Sequence, residues 1–155
     1  MAIIHDLALF GRVAMALGLG FVVGWEREVR GHPAGARTFG LVCAASAALT
    51  AVGVDAFPAT AEKVIAGVVT GIGFIGAGVV LRDSGGHVRG ITTAAAVWSV
   101  ATLGIVAGAG RFVLAGLTTV AFVVLLELRV VPGLRLLDPR RWSHLFPDDD
   151  DPPVP

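Results

Sequence analysis

Charge is scarce in this chain. Asp, Glu, Lys and Arg make up 15% of its 155 residues, where a soluble domain carries about a quarter, so a water-facing surface of ordinary size cannot be covered. The charge that is present balances, twelve basic residues against twelve acidic, which excludes the basic field that binds nucleic acid. Cysteine is almost absent. Cys43 stands alone in an apolar stretch, so an internal disulfide is excluded and an inert core thiol is expected. His5, His32, His87 and His144 are scattered without ligand spacing, and the carboxylates near the membrane, Asp6, Glu26, Glu28 and Glu127, all lie towards segment ends. A route for a hydrated divalent cation would want them inside the spans. No nucleophile is paired with a base, and the glycine run at 71–78 (GIGFIGAG) lies inside an apolar segment, not at a strand-to-helix turn. The reading is therefore not an enzyme, with no catalytic, metal or cofactor-binding residues. No basic region precedes the first apolar run, so that run is expected to be a retained helix and not a cleaved leader.

What the chain does contain is hydrophobic, 55% of it. Five apolar stretches, at 7–25, 38–54, 64–81, 91–108 and 112–131, are marked off by charges, glycine and proline. Each approaches the roughly 20 residues that cross a hydrocarbon core. The fold class is thus an all-α membrane protein with five transmembrane helices. The transmembrane domain covers 1–131; an interfacial segment mixing Leu, Trp and Phe with arginines follows at 132–146, then a disordered acidic tail at 147–155. Arginines mark the orientation. Arg27, Arg30, Arg37, Arg82, Arg89, Arg129, Arg135, Arg140 and Arg141 fall on one side, against Lys63 and Arg111 on the other. The arginine-rich side is expected to be cytoplasmic, with the N-terminus outside and the C-terminus inside.

The chain echoes itself. Gly18-Leu-Gly-Phe21 and Gly71-Ile-Gly-Phe74 match at an offset of 53, and Thr38, directly after Arg37, and Thr92, three residues after Arg89, match at 54. A parallel repeat of helices 1–2 and 3–4 would produce this pattern, as in some transporters; in a chain with 21 glycines, chance recurrence is the alternative. Glycines at G-x-x-x-G spacing, Gly20 with Gly24, Gly67 with Gly71 and Gly104 with Gly108, are expected to let helices approach closely. Gly73, Gly76, Gly78 and Trp98 join them as packing residues, while Trp25 and Trp142 suit the membrane interface.

Polar residues gather at the predicted cytoplasmic ends of the first four helices, where Arg82 and Asp83 follow the third. The candidate functional cluster is Glu26, Arg27, Glu28, Arg37, Thr38, Arg89, Thr92 and Thr93. Threonines at helix starts can cap free N–H groups, and helix starts beside arginines attract a carboxylate or other anion. Two readings stand: Glu26 approaches Arg37 or Arg89 as a buried structural pair, or the arginines hold a mobile anion.

The blocks Gly24-Trp-Glu-Arg27, residues 33–38 (PAGART), Leu41-Val42, the glycine run at 71–78, residues 88–95 (VRGITTAA) and Trp98 resemble the MgtC/SapB family of bacterial membrane proteins. The resemblance spans about residues 7–110. It implies a multi-pass inner-membrane protein with a role in magnesium-linked homeostasis, or in regulating a membrane partner such as ATP synthase. A transporter or channel for an ion or small solute is the alternative. Partners are then the lipid bilayer, with a second copy (a homodimer) or another membrane protein also carried. The sequence departs from the family at Lys63, Gly67, Phe39 and Ser99, where other residue types are expected, and the soluble domain of longer members is expected to be missing.

Overall fold

The computed structural model describes residues 1–82 and 88–127. The interfacial segment, the acidic tail, the end of the fifth apolar stretch, Asp83, His87, His144, Trp142 and the arginines from Arg129 onward lie outside the described residues. Contacts divide the chain into a unit of Met1–Phe122 and a second beginning at Val123, whose described part, Val123 to Glu127, is the last turn of a helix and one turn residue.

Five helices form. They are α1 (Ala2–Val29), α2 (Ala36–Ala56), α3 (Ala61–Val79), α4 (Ile91–Gly108) and α5 (Phe112–Leu126), with a single 3₁₀ turn, Pro58–Thr60, leading into α3. The first four are long and apolar enough to cross a membrane. The all-α transmembrane architecture read from the sequence is therefore found, with α1 extended at both ends. Two strands of two residues, β1 (Leu81–Arg82) and β2 (Val88–Arg89), pair antiparallel between α3 and α4, Leu81 opposite Arg89. Nothing that short carries a readable period.

The packing follows from small residues. A methyl group placed on Gly20 would lie 2.6 Å from Cys43 Cβ, and one on Gly24 would lie 2.6 Å from Ala36 Cα, so α1 rides directly on the backbone of α2. One on Gly104 would meet the Cys43 carbonyl oxygen and, at 2.7 Å, Ser46 Cβ; one on Gly108 would lie 2.9 Å from Ala47 Cα. Contacts thus advance along α2 and α4 in the same direction, while those of α1 with α2 run opposite. The two hairpins, α1–α2 and α3–α4, are oriented in the same sense. Half of α4's span is buried but only 11% of α3's, so α2 and α4 are the inner helices, which the Ala, Gly, Ser and Thr content of these two segments favours.

One glycine pair departs from expectation. Gly67, Gly71, Gly73 and Gly78 have open space where a side chain would stand, and Gly76 makes only ordinary contact, 3.8 Å to Ala94 Cβ. They are not packing residues within this chain, because α3 turns this face outward, with Phe74 86% exposed. Trp98 is likewise 46% exposed and not a core residue. Gly71→Leu should therefore leave the melting temperature of the detergent-solubilised chain within about a degree of the parent. A clear drop would show that this face is packed.

Candidate functional site at the charged end of the bundle

Three successive charges close α1. Successive helical positions are about 100° apart, so Glu26, Arg27 and Glu28 point in three directions and have three different fates. Arg27 turns inward and is 3% exposed. Its Nη2 donates to Thr93 Oγ1 at 3.2 Å, joining α1 to the first turn of α4, while its Nε has no hydrogen-bond partner. Glu26, with its side chain 8% exposed, pairs with Arg30 along the same helix at 3.6 Å. Glu28 reaches across the turn, and its Oε2 accepts the Ala36 N–H at 2.8 Å.

That last bond is the cap of α2. Gly35 precedes the helix and has no side chain to offer; a methyl group there would lie 2.5 Å from Glu28 Oε2. The carboxylate satisfies one orphan donor and complements the positive end of the helix. Arg37 and Thr38 follow in the first turn and are exposed. At α4 the residue before the helix is Gly90, with φ +88. A methyl group on it would meet the Val79 carbonyl oxygen, so both conformation and space require glycine. Arg89 and Thr92 are exposed, and Thr93 is buried.

The structure therefore joins Arg27 to Thr93, Glu26 to Arg30, and Glu28 to the start of α2. The threonines do not cap, because the helices begin at Ala36 and Ile91, placing Thr38 and Thr93 two residues inside, past the capping position. The buried arginine is Arg27, whereas Arg37 faces outward. Arg30 and the Ala36 amide complete the set without having been singled out. The four-residue spacing of Glu26 and Arg30 is a readable helix-pair signal. Nothing in the sequence marks the Ala36 amide, whose partner arrives from another helix.

His32 lies in this turn, its own N–H bonded to the Arg27 carbonyl. Its pKa is lowered from 6.5, first by partial shielding from water and then by the positive charges of Arg27 and Arg30. A histidine held neutral by the fold binds fewer protons than in the unfolded chain, so its effect is absent above the ordinary value and stability falls as pH drops through the lowered one. Thermal unfolding followed from pH 7.5 to 5 should show this loss, and His32→Asn should flatten part of it. An identical pH profile in the variant would remove His32 as a cause.

The opposite end has its own ties. His5 Nε2 lies 2.8 Å from Asp55 Oδ1, linking the start of α1 to the end of α2. Arg12 Nη1 donates to the Gly108 carbonyl at 3.0 Å, satisfying an orphan acceptor at the C-terminus of α4.

Comparison with known proteins gives a consistent result. An uncharacterized protein of Haemophilus influenzae is 34% identical over 148 residues, covering 89% of this chain and 59% of that protein. Protein SapB of Bacillus subtilis is 36% identical over 110 residues, 65% of this chain and 47% of SapB. Protein MgtC of Salmonella typhimurium is 40% identical over 97 residues, 63% of this chain and 42% of MgtC. The chain thus spans about half the length of these curated relatives. No solved structure matches it. The MgtC family matches residues 13–131, which take in α1 from Val13 onward, the other four helices, and every residue of the charged end: the chain belongs to the MgtC family.

Proposed function

We propose that this chain is a regulatory protein of the bacterial inner membrane that serves magnesium-linked ion homeostasis by acting on another membrane protein, such as ATP synthase, and does not itself conduct ions. The observation that carries this reading is the closed seam between α2 and α4. Gly104 and Gly108 bring the backbones of these inner helices within side-chain distance of each other, and Arg27 and Glu28 of the charged end tie α1 to α4 and α2. A second copy of the chain is the other partner considered. The proposed orientation puts the charged end and the C-terminus in the cytoplasm, following the arginine distribution.

Magnesium flux into proteoliposomes containing the purified chain tests the reading. Uptake should not exceed that of empty liposomes. Protein-dependent uptake would overturn the proposal in favour of a transporter or channel, a reading favoured by one observation, the common sense of the two helical hairpins.

A further inference from the structure

The starts of α2 and α4 are met by groups of opposite chemistry. In the first hairpin, the start of α2 receives a carboxylate oxygen from within the chain, Glu28 Oε2 on the Ala36 N–H. In the second, the position 53 residues beyond Glu28 is Leu81, whose side chain has no acceptor atom and is 67% exposed. The residue preceding α4 is Gly90, which has no side chain with which to cap the helix start. What lies against this helix start is a donor: the guanidinium of Arg27, 97% buried by its 3% exposure.

The direction of that guanidinium matters. By covalent geometry, Nε–H and one N–H of Nη2 project from the same edge of the group, the edge that grips two oxygens of an oxyanion. Nη2 donates to Thr93 Oγ1, which brings the group against the first turn of α4, and the neighbouring Nε has no hydrogen-bond partner among the described residues. A buried cation and a helix start thus converge with one donor unspent. The carboxylate next to Arg27 in sequence, Glu26, pairs through Oε1 with Arg30, and its charge also acts on Arg27.

We propose that the start of α4 and Arg27 form an oxyanion site, in which an external anion occupies the place that Glu28 fills in the first hairpin. The ligand class is a phosphate-type oxyanion, supplied either by a lipid headgroup or from solution. Trp25, 58% exposed two residues before Arg27, places the site at headgroup depth, where aromatic residues collect. This deepens the proposed role of the charged end, but binding is read on the isolated chain, so its failure leaves the flux result intact.

The test uses the full chain, purified in neutral detergent and titrated with inorganic phosphate at constant ionic strength, and in parallel the chain in nanodiscs of phosphatidylcholine with or without phosphatidic acid. Melting temperature should rise saturably with free phosphate if the source is solution, and only with phosphatidic acid if it is lipid. Arg27→Lys, which loses the forked edge, should weaken the response at least tenfold, while Arg111→Gln at the start of α5 should not change it. Leu81→Glu restores the internal carboxylate of the first hairpin and should abolish the response in a chain that still folds, which keeps the test decisive if Arg27→Lys does not fold. Absence of any response in both media, or an equal response in the parent and Leu81→Glu, would overturn the proposal.

Discussion

Gly104→Leu should abolish the folded bundle. The new side chain would have to enter the space held by the Cys43 carbonyl, Ser46 Cβ and the Ala47 amide nitrogen, the last two at 2.7 and 3.1 Å from the first added carbon alone. Two of these three are backbone atoms of α2, so no rotamer change clears them, and α2 itself is pinned from the other side by Gly20 and Gly24 of α1. Overpacking a core costs about 1–3 kcal/mol where side chains can yield. Here the helices must separate, and the upper end of that range or beyond is expected. Unfolding of the variant in detergent, followed by circular dichroism and by size-exclusion profile, should show no monodisperse folded chain. Gly71→Leu makes the same chemical change on a face that meets nothing and serves as the matched control. Equal behaviour of the two variants would mean that α2 and α4 are not packed in this register.

Glu28→Ala should cost about 2 kcal/mol. The loss leaves the Ala36 N–H, on a residue only 3% exposed, without its acceptor, and an unsatisfied buried donor costs about 1–3 kcal/mol. The removed charge also withdraws about 0.3–1 kcal/mol of interaction with the helix dipole. Glu28→Gln retains an acceptor oxygen and should recover most of the difference, leaving the charge contribution. Equilibrium unfolding of the three proteins in mixed micelles orders them parent, Gln, Ala. A Gln variant as unstable as the Ala variant would assign the effect to the negative charge and not to the cap.

Three G-x-x-x-G pairs look alike in the sequence, yet two press against α2 and one faces away. The spacing specifies which residues share a helix face; what stands opposite depends on where the other helices lie. The same limit applies at the charged end. Glu26, Arg27 and Glu28 were legible as a cluster from their position after an apolar run, but their separate directions follow from the rotation of α1 that seats Gly20 and Gly24. The helices themselves were read well where punctuation is strong. Residues 91–108, bounded by Gly90 and Gly110, are found as α4 without change, whereas α1 outruns its apolar core because helical hydrogen bonding continues through His5, Asp6 and the closing charges.

Arg12 has a consequence for how the protein is made. Its guanidinium is held by a carbonyl 96 positions further along the chain, an acceptor that does not exist until most of the polypeptide has been synthesised. The first helix therefore enters the bilayer with an arginine a third of the way along it and no final partner, and a charge at that depth draws in water or headgroups until it is matched. Synthesis of Gly108 ends that interim. The C-terminal carbonyl of α4 then takes over from the solvent, so the first segment to be inserted waits for the fourth before it reaches its final seat, and a nascent chain cut short before Gly108 carries a first helix that is still hydrated at Arg12.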